Sequence, residues 1–156
     1  MCPYAPGMSG IVSRWPVLQR HAVDSTDLDA NGAVRTEVAL GWIAAACDAY
    51  LERCTVLRAQ AAPDGLAIQQ AAITLPSGAL AGKPSEIAIS VGVSEFFPTA
   101  FTMTVRMRPF GGDDDRAVNL SRDVSLVEIA SGEAQPLGRD VRDELIAHAH
   151  TAEHLN

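Results

Sequence analysis

The stretch Asp27-Leu28-Asp29-Ala30-Asn31-Gly32-Ala33-Val34 sets two carboxylates and a glycine turn ahead of an uncharged apolar run, Val38 to Cys47. A carboxylate at the mouth of a buried helix is placed to act as a nucleophile, or as a general base toward water. The same spacing has a purely local reading. Asp29 followed three residues later by Gly32 suits a type I turn in which the Asp side chain accepts from backbone N–H groups. Asp27 fits a turn or capping role better than a chemical one. Glu37 is a second carboxylate candidate, at the first turn of the expected helix, where the helix dipole favours its charged form and an ordinary helix-start role also accounts for it.

Few other groups invite a chemical role. His21 is in phase with Val17 and Val23 on an expected strand and reads as a hydrogen-bonded structural histidine. His148, His150 and His154 lie near the C-terminus; His150 and His154 share a helix face but lack a third fixed ligand, so no metal is expected. Cys2, Cys47 and Cys54 show no metal-ligand spacing, and Cys47 and Cys54 sit too far apart on one expected helix to bridge. Reduced thiols in a cytoplasmic protein are the expectation. Trp42, Met103 and Met107 read as core.

The elements that must position these residues follow from hydrophobic period. Val17 to Val23 reads as a strand, and Val38 to about Leu57 as one long helix, apolar on every side in its first half and therefore central and enclosed. Ile68 to Leu75 reads as a further strand. Ile87, Ile89, Val91 and Val93 alternate with small and polar residues, as do Phe101, Met103, Val105 and Met107, and the short link around Phe97-Pro98-Thr99 joins them as a hairpin. Gly111 to Asp115 reads as an exposed turn. Ala117 to Ile129 reads as a long strand whose apolar phase moves at Val127, which predicts a bulge or bend. Val141, Leu145 and Ile146 mark a short amphipathic C-terminal helix. The pattern is α+β: an antiparallel sheet curled around one long central helix.

Length and charge bound the possibilities. At 156 residues the chain fits one domain, which buries roughly 70% of its unfolded surface. We divide it into a loose arm over 1–13, a single domain over 14–150 and a tail over 151–156. The net charge of −7 and the single lysine, Lys83, leave no basic cluster suited to nucleic acid. The remaining cations are all Arg, the better residue for bidentate phosphate contacts, so a small polyanion is not excluded. The apolar run to Cys47 is only about half a membrane span, so no membrane association is expected, and nothing calls for a cofactor.

The segment from Asp27 to Val34 resembles the Asp-x-Asp-x-x-Gly-x-Val signature of the hotdog-fold acyl-CoA thioesterases of the 4-hydroxybenzoyl-CoA thioesterase type. The likeness extends over about Val17 to Leu145, with Trp42 in the central helix, the strands flanking Phe96 to Thr99, and the tail from Ser131 to Leu137 followed by a helix with Arg142. The resemblance implies a hotdog fold and an acyl-CoA substrate, in a homodimer or homotetramer with its active site at the dimer interface. It implies Asp29 as the catalytic carboxylate, with the carbonyl oxygen held by N–H groups near Thr36 and Glu37, beyond the Gly32 turn. Arg106, Arg108 and Arg122 become candidates for the phosphates of coenzyme A. Where such relatives carry His or Asn and a nearby Tyr, this chain has Arg35-Thr36-Glu37-Val38-Ala39, which keeps Glu37 beside Asp29 as a possible acting carboxylate. Other readings are a non-catalytic acyl- or CoA-binding protein and a hotdog hydratase or dehydratase, the latter weakened by His21 being the one internal histidine.

Overall fold

The computed structural model describes residues 19–61, 65–76, 78–109 and 117–155. The arm expected over 1–13 and the turn expected at 111–115 lie outside them. The alternation from Ile87 onward forms β3 (Glu86–Phe97), which turns at Pro98-Thr99 into β4 (Ala100–Pro109). β1 (Gln19–Ala22) pairs with the other side of β3, and β5 (Val118–Glu128) pairs with β4. β2 (Leu66–Gln70) does not join its sequence neighbour β3. It crosses to the far edge, giving the antiparallel order β1-β3-β4-β5-β2, and a two-residue β6 (Ala134–Gln135) adds to β5.

Ile87, Ile89, Phe101, Met103, Val105, Met107, Val124 and Leu126 are fully buried on the inner face of this sheet. Helix α1 (Thr36–Glu52) packs there through Ala39, Ile43, Ala46, Cys47, Tyr50 and Leu51. A second helix, α2 (Thr55–Ala61), and the C-terminal α3 (Arg139–Leu155) close the core, with Leu57, Val141 and Leu145 buried. α3 extends to Leu155, beyond the short helix expected and past residue 150, where a tail was expected to begin.

Four expectations are corrected. The single helix to Leu57 is broken at Arg53-Cys54, whose N–H groups bond back three residues to Tyr50 (3.1 Å) and Leu51 (3.0 Å). A new helix starts because Glu144 of α3 accepts from Thr55 Oγ1 (3.1 Å) and from the Val56 N–H (3.0 Å), a long-range cap with no local signal. Nor is α1 enclosed on all sides, since Gly41, Ala44, Ala45 and Asp48 are exposed. One sheet face covers about half of a helix, and Gly and Ala are too weakly apolar to reveal which half.

β2 begins and ends earlier than the Ile68 to Leu75 run suggests. Past Gln70 the Ala71 carbonyl is taken by the Arg122 side chain at 2.9 Å, and the chain leaves the ladder. Finally, β5 carries no bulge. Its register holds unbroken against β4 and β2, and Val127 simply belongs to the outer phase, with Ile129 beyond it 69% exposed. The irregularity lies in β3 between Val93 and Glu95.

Candidate active site

β1 ends where Val23 N–H donates to the Ser85 carbonyl (2.9 Å), and a 3-10 turn over Ser25–Asp27 follows. Asp27 spends its carboxylate there, accepting from the Asp24 N–H at 3.0 Å, so it is a capping residue. An isolated bridge between Leu28 and Val34 then pinches off a small loop with Asp29 at its entrance. The Asp29 N–H donates to the Ala33 carbonyl (2.8 Å) and the Gly32 N–H to the Asp29 carbonyl (3.1 Å). Oδ1 of Asp29 accepts from the N–H groups of Asn31 (2.8 Å) and Ala33 (3.0 Å), which makes the local turn real. Those two bonds also fix the plane of an exposed carboxylate whose Oδ2 has no hydrogen-bond partner among the described residues.

Three residues later α1 begins. Arg35 gives it no side-chain cap, and the Arg35 carbonyl accepts from Val38 (3.1 Å) and Ala39 (3.0 Å). The N–H groups of Thr36 and Glu37 thus have no partner among the described residues, at the positive end of a helix of 17 residues. The Glu37 carboxylate is exposed and paired with Arg35 Nε at 3.1 Å. Asp29, Gly32, Thr36 and Glu37 are therefore brought together in one loop and helix start.

The three arginines are not brought together. Arg106 and Arg108 lie on the outer face of β4, opposite in phase to the buried Val105 and Met107. Arg106 donates to Asn119 Oδ1 (3.3 Å), and in register Arg108 and Arg20 flank Ala88. Arg122 faces inward, bonded to the Ala71 carbonyl and to Gln70 Oε1 (3.0 Å), while Gln70 Nε2 reaches Asp48 (3.2 Å).

Solved structures of low sequence identity share this architecture. YbaW, a probable thioesterase from Escherichia coli, superposes with a TM-score of 0.63 at 12% identity over 83% of this chain and 96% of that one. A 1,4-dihydroxy-2-naphthoyl-CoA thioesterase from Synechocystis gives 0.61 at 12% over 82% and 93%. A thioesterase from Thermus thermophilus, solved with coenzyme A and Zn, gives 0.57 at 21% over 87% and 96%. The chain has the hotdog fold. No family model and none of the curated proteins matches it.

Within this hotdog scaffold His21 ties together the elements on either side of the loop, and Lys83 packs on the loop itself. His21 stacks on Trp42 of α1 (centroids 4.8 Å, planes 11° apart), and burial pushes its imidazole below the usual range. A packed ring of this kind is a strut between β1 and α1. Lys83 escaped the reading from sequence. Its N–H donates to the Gly32 carbonyl (2.8 Å), and its side chain lies so close over Gly32 that a Cβ there would meet Lys83 Cγ at 2.8 Å. The available signal was its being the one lysine, set between Gly82 and Pro84.

The remaining titratable groups belong to packing. Burial raises the Cys47 thiol, partly offset by the neighbouring Arg122, and lifts Cys54 to about 12; burial likewise raises the Tyr50 hydroxyl. Both cysteines are free and buried. His148 packs edge-on to Tyr50 at 6.0 Å, with its imidazole lowered by burial. A recess of about 440 Å³ between α2 and the start of α3, lined by Val56, Gln60 and Asp140 among others, includes no residue of the Asp29 loop.

Proposed function

We propose that the chain hydrolyses acyl-CoA thioesters, with Asp29 as nucleophile or general base and the Thr36 and Glu37 N–H groups receiving the carbonyl oxyanion. The observation that carries this reading is the Asp29 carboxylate, held in plane by two backbone donors, beside a helix start with unspent N–H groups. A thioester is activated enough that one carboxylate and a polarised carbonyl suffice. Oδ2 attacks the carbonyl carbon or takes a proton from the attacking water. The carbonyl electrons move to oxygen and return as the C–S bond breaks, with its electron pair leaving on sulfur; in the nucleophilic route water then hydrolyses the acyl–Asp29 anhydride to the free acid and regenerates the carboxylate. Glu37 is the alternative carboxylate, and its ion pair with Arg35 is what it must give up to act.

Arg106 and Arg108 are the arginines we assign to the coenzyme phosphates, while Arg122 is committed to the β2 edge. The exposed loop and the Gly41, Ala44 and Ala45 stripe on α1 support a second copy of the chain completing the site, in a homodimer or homotetramer. The free, buried Cys47 and Cys54 support a cytoplasmic location. One observation favours a second reading, a non-catalytic acyl-CoA-binding protein: Asp29 Oδ1 is already spent on the turn. A panel of acyl-CoA esters with thiol-release detection and parallel binding measurements separates the two. Turnover supports hydrolysis; tight binding with no thiol released from any ester favours the binding protein.

A further inference from the structure

We propose that Lys83 is a catalytic residue of this same site: its ammonium faces the departing thiolate and stabilises its negative charge. This rests on the hydrolase reading above. One carboxylate and a polarised carbonyl suffice to cleave a thioester, but the rate gains further from relief for the sulfur that leaves as an anion. Asp29 or Glu37 supplies the carboxylate, and the helix-start N–H groups polarise the carbonyl. Neither relieves the sulfur, because a thiolate expelled beside carboxylates is raised in energy by them.

The cations near the loop are Arg35 and Lys83. Arg35 is paired with Glu37 at 3.1 Å, while the ammonium of Lys83, an exposed residue, has no hydrogen-bond or ion-pair partner among the described residues. The Lys83 backbone has φ +51°, the left-handed region that a non-glycine residue seldom occupies and that strains it. That conformation lays the stem across the loop. Cγ, Cε and Cδ approach the position of a Gly32 Cβ to 2.8, 3.3 and 3.6 Å, so the lysine stem covers Gly32, within the segment that joins Asp29 to the helix start, and its ammonium is one bond beyond Cε. Backbone bonds hold the two segments together, Lys83 N–H to the Gly32 carbonyl at 2.8 Å and Val34 N–H to the Leu80 carbonyl at 2.9 Å. Gly32 thus does double duty, supplying φ +81° and leaving room for the lysine stem.

When the tetrahedral intermediate collapses, the C–S electron pair goes to sulfur. The sulfur leaves as a thiolate paired with the Lys83 ammonium, which keeps its own proton, and the thiolate takes its proton from water once it is released.

Lys83→Met keeps the stem on Gly32 and removes the ammonium. Turnover should be compared between an acyl-CoA and the same acyl group on thiophenol, whose far more acidic thiol departs unaided. We expect the variant to lose about tenfold to a hundredfold in kcat on acyl-CoA and to change by less than about threefold on the aryl thioester. Equal losses on both, or none on either, would overturn the role of Lys83 while leaving hydrolysis intact. A wild-type chain that turns over neither ester would overturn both readings.

Discussion

Asp29 was legible as a carboxylate in a turn, and the turn is what the structure shows. Oδ1 accepts from Asn31 and Ala33, and Oδ2, without a hydrogen-bond partner among the described residues, is the oxygen to which we assign the proposed chemistry. Asp27 looked equivalent in the sequence but is consumed by the Asp24 N–H. Lys83 was not legible, because its relation to Gly32 depends on two segments some fifty residues apart meeting edge to edge. That contact gives a residue-scale prediction. Gly32→Ala forces a side chain into a left-handed backbone and against the lysine stem, and should cost about 1–2 kcal/mol. Thermal unfolding should show a midpoint lower by roughly 2–8 °C; an unchanged midpoint would mean that the loop relaxes freely.

At the scale of elements, alternation identified β3 and β4 because each keeps one apolar phase, as with Phe101, Met103, Val105 and Met107, and β5 through Val118, Leu120, Val124 and Leu126, ahead of the misleading Val127. β3 proved buried on both faces, since Ala88 (3% exposed) and Ser90 (8%) are small residues flanked in register by the longer Arg108 and Arg106. The break between α1 and α2 was hidden because Cys54, Leu57 and Ala61 continue the apolar pattern, while the residue that starts α2 is Glu144, nearly ninety positions away. Glu144 accepts from Thr55 Oγ1 and from the Val56 and Leu57 N–H groups. Glu144→Ala therefore removes an N-terminal cap and the tie between α2 and α3, and should cost about 1–2 kcal/mol. Chemical denaturation should show a lower midpoint at an unchanged slope; a wild-type midpoint would show that α2 does not need the cap.

For the whole molecule, an antiparallel sheet wrapped on one central helix was readable from the order of periods, whereas the passage of β2 to the edge beside β5 was not. That passage is set by pairing, Leu66 with Glu128 through Gln70 with Val124, and hydropathy alone does not choose a partner. The same limit divided the arginines. Arg106 and Arg108 follow from strand phase, but the inward Arg122 is claimed by Gln70 and Ala71 at the edge that β2 brings in. The resulting scaffold carries one oriented carboxylate in the loop that leads into one helix start without a side-chain cap. Asp29→Asn keeps an acceptor for the Asn31 and Ala33 N–H groups and removes the charge, so the loop stays folded while its chemistry is withdrawn. The decisive measurement is thiol release from an acyl-CoA that the wild type hydrolyses, with native folding of the variant checked in parallel. Turnover should fall by at least about a hundredfold in Asp29→Asn; turnover equal to wild type in the folded variant would contradict the assignment of Asp29 and leave Glu37 as the acting carboxylate.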